Sequence, residues 1–291
     1  VRVVLDGANH GQFNTVWGRK DLFEPLMRVF NLEQLLPARD QQQIAKVYVS
    51  AFLEATLHGE SGYRPLFRDP RRGEAWLPET IYLSQYQDAS TQLVSTYEED
   101  IDLATTTLPG GSLTGDNLAV WREQSARAKW GDLGDQAVYL GWTASALAEP
   151  ASYGIWLPDR GLTLSQESVM VFSLADADEN PTQDVKGNET GIPRPLIDLT
   201  LEVKDRAGAV ARLPLSHFSY LQPQLEGTLG KAAFMSPFPP SEAVFQHFEY
   251  PLAAFVTANP AFEPASLVQV RLVFDRSEWG GVLLDDLGFR D

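Results

Sequence analysis

The stretch Ile197-Asp198-Leu199-Thr200-Leu201-Glu202-Val203-Lys204 alternates apolar and polar residues without a break. Successive side chains of a strand point to opposite faces, so this period of two reads as a β-strand with one dry and one wet face. Asp205-Arg206-Ala207-Gly208 follows as a turn, and Ala209, Ala211, Leu213 and Leu215 resume the alternation, which predicts a hairpin. Working outward, Val268, Val270, Leu272 and Phe274 repeat the pattern. Glu278-Trp279-Gly280-Gly281 then leads into the apolar run 282–289, read as a second hairpin. Runs at 80–86, 91–97, 137–142, 153–157 and 168–174 are spaced by turn residues in the manner of a two-sheet sandwich. Residues 79–291 are therefore expected to form an all-β antiparallel sandwich, with the polar stretch 176–195 as a surface loop.

Upstream the hydrophobic period changes. Val1-Arg2-Val3-Val4-Leu5 is a β-branched run ended by Asp6-Gly7, the form of a buried strand leaving into a turn. Over 40–58 the spacing is helical, with Ile44, Val47, Tyr48, Ala51, Phe52 and Ala55 on one face and Gly59 as the stop. Ala45, Val49 and Leu53 lie off that stripe, so the helix is expected to be covered on more than one side. One strand and one helix cannot supply that cover. Residues 1–78 thus read as the end of a larger α/β layer whose earlier strands precede Val1.

Charge supports the same division. Residues 1–78 hold ten Lys+Arg and nine Asp+Glu, against 13 and 30 in 79–291, within a net charge of -16. A field of that sign repels phosphate backbones and anionic headgroups, which argues against nucleic acid and membrane surfaces as partners. No apolar run is long enough to span a bilayer. The absence of cysteine removes disulfides, thiolate zinc sites and cysteine nucleophiles together.

The loop after the first strand, Asp6-Gly7-Ala8-Asn9-His10-Gly11-Gln12-Phe13, carries the first chemical signal. A strand ending in a Gly-Ala-Asn-His loop and followed by a long amphipathic helix resembles the last strand, histidine loop and final helix of α/β-hydrolases. The closest likeness is to the esterase branch, which holds lipase-like and platelet-activating-factor-acetylhydrolase-like enzymes. The resemblance implies that His10 is the general base of a Ser-His-Asp triad, drawing the proton from a serine hydroxyl during acyl transfer to water. It also implies that Trp17, on the same loop, borders the ester pocket. The alternative is a histidine that caps or packs a turn. The Gly-x-Ser-x-Gly elbow of that fold is missing; Gly59-Glu60-Ser61-Gly62 has the wrong spacing and follows a helix. Serine and acid would then lie upstream of Val1, in a hydrolase part that partners this chain, and the chain alone would be inactive.

The segment 268–289, with 245–255 before it, resembles the last strands of galactose-binding-like jelly-roll modules, which often end in an apolar-Asp-Asp-apolar strand. The resemblance implies a possible structural calcium near Asp286, with Asp88 as the carboxylate from the first strand. The competing reading is a carboxylate satisfied by backbone donors. No other cofactor is called for. Asp176, Asp178 and Asn180 echo an EF-hand loop, but Pro181 and Gly187 stand where glycine and glutamate are needed. Glu98-Glu99-Asp100 with Asp102 reads as a wet acidic rim. His58 suits a helix C-terminus, and His217 and His247 read as packing residues. The seven tryptophans default to packing, although several on one exposed face would stack on sugars.

Two functions follow as expectations. The first is the C-terminal portion of an exported or cell-envelope serine ester hydrolase (1–78) with an accessory β-sandwich (79–291). The second is a non-catalytic carbohydrate- or surface-binding β-sandwich, whose ligand is a glycan rather than a small-molecule ester.

Overall fold

An alternating strand leaves one apolar face to be buried, and two such sheets bury each other. The computed structural model describes residues 1–17, 29–128, 131–143, 149–177, 181, 196–228, 230–232 and 241–291. Along the chain the strands are β1 (Arg2–Leu5), β2 (Tyr82–Gln85), β3 (Gln92–Ser95), β4 (Ser112–Asp116), β5 (Val120–Ala128), β6 (Gly131–Trp142), β7 (Ala151–Trp156), β8 (Val169–Asp176), β9 (Thr200–Asp205) and β10 (Val210–Pro214). They continue with β11 (Leu225–Glu226), β12 (Ser241–Glu242), β13 (Gln246–Pro251), β14 (Leu267–Phe274) and β15 (Gly280–Arg290). The helices are α1 (Ala38–Leu57), α2 (Arg64–Arg68) and α3 (Leu252–Ala258). Two compact units divide the chain: Val1–Tyr86 with Leu225–Val244, and Gln87–Gln224 with Phe245–Asp291.

The second unit is a β-sandwich. One sheet has the strand order β10-β9-β14-β7-β4, the other β13-β8-β15-β6-β5, and β3 pairs with β15. Leu201, Val203, Val270, Leu272, Tyr153 and Ile155 turn inward from the first sheet; Val138, Leu140, Phe172, Leu174, Val282 and Leu284 do so from the second, and all twelve belong to one buried cluster. The hairpin read at 197–215 is present as β9 and β10, with Leu201 opposite Leu213.

The second hairpin is not a hairpin. β14 pairs with β7 and β9 in one sheet, whereas β15 pairs with β6 and β8 in the other. The link between them crosses from sheet to sheet, and Trp142 holds it there. Its ring stacks on Phe274 with centroids 4.3 Å apart, and its Nε1 donates to the Ser277 carbonyl at 3.0 Å. Gly280 is required beneath it, since a Cβ there would lie 2.6 Å from Trp142 Cζ2. The polar strands β4 and β5 were not anticipated.

In the first unit, α1 and the strand β1 form where expected, but their setting differs. β1 pairs antiparallel with β2, Leu5 opposite Tyr82. Every ladder among the described residues is antiparallel, so the parallel layer expected of an α/β-hydrolase at 1–78 is not seen. The run at 80–86 belongs to this unit, and the division falls after Tyr86 rather than after Pro78. Ala51 and Ala55 of α1 pack on Leu66 and Phe67, with Val47, Tyr48 and Leu77 around them. The face with Val49, Phe52 and Leu53 remains exposed, so the cover expected on a second side of α1 is absent among the described residues.

Trp142→Ala removes the stack and the indole donor at once and should destabilise the sandwich by about 3–5 kcal/mol. Trp142→Phe, which keeps an aromatic ring there, should cost less. Urea denaturation followed by near-ultraviolet circular dichroism measures both.

Candidate functional site

His10 stands exposed at the N-cap of the short 3-10 turn Gly11–Phe13. The buried residues of this turn are Gly11 and Gln12, and Gln41 of α1 is buried beside them. Gln41 of α1 accepts from Asn9 N at 3.1 Å and donates to the Leu36 carbonyl at 3.0 Å. Gln12 donates to the same carbonyl, and Gln42 donates back to the Gln12 carbonyl at 3.2 Å. A loop read for its histidine is thus tied down by amides, which satisfy backbone groups that would otherwise be buried unpaired. Trp17 is 61% exposed, on a turn whose Val16 and Trp17 amides donate to Asn14 Oδ1. The antiparallel β1–β2 pair gives no support to a hydrolase partner upstream.

Asp88 and Asp286 are not brought together as ligands. Asp88 Oδ1 accepts from the amide and hydroxyl of Ser90 at 3.0 Å each, closing its own turn. The side chain that reaches Asp286 is Gln87, whose Nε2 donates to Oδ1 at 3.3 Å. Among the described residues no group of three acidic or histidine side chains gathers as a metal site. The carboxylates that influence Asp286 are Asp135 and Glu98, along with His247, and composition alone does not single these out.

Asp285 is 1% exposed. Its Oδ1 accepts from the Asp286 amide at 2.7 Å, and its Oδ2 has no hydrogen-bond partner among the described residues. Burial foremost, then the charges of Asp286 and Asp135, push its carboxyl up to about 8. Burial and the charge of Asp135 push Asp286 up to about 6, opposed by His247. The acidic segment 98–102 is largely engaged in its own turn, where Asp100 accepts from Asp102 N and Thr105 Oγ1. Asp178, Asn180, Gly187 and Trp130 lie outside the described residues.

The outer face of the five-stranded sheet is the most developed surface. Register aligns three rows across its strands: Ser112-Trp156-Gln269-Lys204-Val210, then Thr114-Gly154-Arg271-Glu202-Arg212, then Asp116-Ser152-Val273-Thr200-Pro214. Trp156 is 38% exposed. Two residues back on the same strand, Gly154 lets neighbouring side chains close over the backbone, since a Cβ there would lie 2.6 Å from Thr114 Oγ1 and 3.2 Å from Gln269 Nε2. Glu202, with its side chain 5% exposed, sits between two arginines. Arg271 Nη1 donates to its Oε1 at 2.9 Å and Nη2 to Ser152 Oγ at 2.9 Å. Arg212 donates to its Oε2 through Nε at 2.7 Å and Nη2 at 2.6 Å. A groove of about 340 Å³ runs past Thr200, Glu202, Arg212, Arg271, Val273 and Arg276. At its edge Arg276 Nε donates to Asp198 Oδ2 at 2.6 Å.

No protein-family model and no curated protein matches the chain. Solved structures do. A family 30 carbohydrate-binding module is similar at 12% identity over 60% of this chain and 77% of that one, with a TM-score of 0.38. The family 11 carbohydrate-binding module of the cellulosomal cellulase Lic26A-Cel5E of Clostridium thermocellum is similar at 9% identity, over 70% and 96%, with a TM-score of 0.36. The CBM22-1 xylan-binding domain of Paenibacillus barcinonensis Xyn10C is similar at 14%, over 71% and 97%, with a TM-score of 0.37. At these values the overlap is partial, and the sandwich stands on its own ladders and core.

The Asp285 and Asp286 shifts have a definite sign. Both folded-state values lie above the unfolded carboxylate value of about 4, so between about pH 4 and pH 8 the unfolded chain releases these protons first. Stability from this pair is therefore intact below about pH 4 and falls as pH rises through 6 and 8. Asp285→Asn should raise the melting temperature at pH 8 and flatten its decline from pH 5 to 8, read by differential scanning calorimetry across that range.

Proposed function

We propose that the second unit is a non-catalytic carbohydrate-binding module of galactose-binding-like, jelly-roll architecture, with its glycan lying across the outer face of the five-stranded sheet. The observation that carries this reading is Trp156, an exposed indole on the outer face of the sheet, in register with Gln269 on one side and Ser112 on the other. A sugar ring presents a C–H face to an aromatic plane and hydroxyls at its rim. An indole flanked by Ser112 and Gln269, with Thr114 and Arg271 in the next row, offers partners for both. Most other tryptophans of this unit that are described are buried or packed at the core, Trp142 and Trp121 among them.

Catalysis on this face has little to work with. Glu202 is its most enclosed carboxylate, and each of its oxygens already accepts from an arginine. A general acid or base must exchange a proton with substrate, and a carboxylate clamped on both sides does not. The acid instead holds two guanidinium groups in place.

Trp156→Ala should weaken glycan binding at least tenfold, the equivalent of about 1.4 kcal/mol. Trp76→Ala, an exposed indole of the first unit, should leave it unchanged. Isothermal titration calorimetry against oligosaccharides of β-glucan, xylan and polygalacturonate measures both. Unchanged affinity in Trp156→Ala would remove the site from this face.

A further inference from the structure

We infer that the glycan taken by this face is acidic, a chain bearing uronate carboxylates; the inference rests on the carbohydrate-binding reading above. It comes from the charged side chains of the first two registered rows. Lys204, Arg271 and Arg212 stand on adjacent strands β9, β14 and β10, and Gln269 lies beside Lys204. The carboxylate among them, Glu202, has both oxygens occupied by Arg212 and Arg271. A lysine or arginine side chain donates and cannot accept, and a guanidinium carries five N–H groups in a planar fork. Arg212 directs Nε and Nη2 to Glu202 while its side chain remains 65% exposed.

The first two rows therefore hold three cationic side chains against one carboxylate, while Asp116 stands in the third row on the border strand β4. This stands out in a segment, 79–291, with 13 Lys+Arg against 30 Asp+Glu. A neutral sugar hydroxyl can accept from these donors but brings no charge to answer theirs. A carboxylate accepts through two oxygens and matches the guanidinium fork in shape and charge. Glu149 and Asp275 also line the groove, and Arg276 at its edge is paired with Asp198. The unmatched positive charge thus lies toward Arg212 and Lys204. Buried Glu202 acts as a positioning residue: it fixes two long side chains before ligand arrives, lowering the ordering cost of binding.

The test is calorimetric titration of the whole chain with oligogalacturonate and, separately, with neutral β-glucan and xylo-oligosaccharides of equal length, in 50 mM and 500 mM sodium chloride. The expected result is at least tenfold tighter binding of oligogalacturonate at low salt, with the preference shrinking at high salt. Arg212→Ala should remove the preference. Arg212→Lys, which keeps the charge and loses the fork, should restore part of it, with folding of both variants checked by circular dichroism. Neutral chains binding as well as or better than oligogalacturonate would overturn the acidic preference and leave the carbohydrate-binding reading standing. Binding of neither class would overturn both.

Discussion

The stacked pair Trp142 and Phe274 lies where the chain leaves one sheet and enters the other. β14 and β15 are neighbours in sequence, yet each is an inner strand of its own sheet. Wherever the crossing between them is set, the spacing of the two sheets follows. The indole contributes a flat surface for Phe274 and a donor for the Ser277 carbonyl, so the link is held by packing and by direction together. Both faces of the sandwich, the dry inner one and the wet outer one, take their alignment from strands fixed at this point.

Alternation made much of this readable. Residues 197–204 and 268–274 show their inner and outer faces directly, because a strand with one solvated side must alternate. β4 and β5 hid for the opposite reason. Gln124, Ser125 and Arg127 lie on an edge strand with a register shift, where polar residues are tolerated and the apolar signal fades. Sheet membership was not readable at all. Alternation states that a strand has two faces and is silent on which sheet receives it, so two adjacent strands looked like a hairpin.

The candidate site was legible only in pieces. Glu202 and Lys204 show as wet-face residues and Arg212 lies across the same hairpin, but Trp156 and Arg271 come from other strands, separated from them by tens of residues. Their meeting depends on register, which is a property of the folded sheet. The loop at His10 shows the converse error. A local resemblance drew attention to an imidazole, while the interactions that shape the loop belong to Gln12 and Gln41, residues whose burial no short motif displays. Asp286 was singled out for its place in an Asp-Asp pair, and the carboxylates that influence it, Asp135 and Glu98, arrive from distant positions.

The registered rows end at β4 on one side and β10 on the other. Five strands at about 4.8 Å spacing give a platform roughly 19 Å across. Among the described residues neither border strand pairs with a further strand to wall it off. A polymer laid across the rows could overhang at both borders, so attachment would not depend on finding a chain end. On the carbohydrate-binding proposal, one molecule would then settle anywhere along a long polysaccharide, and crowding of copies on a single fibre would be limited by their own girth.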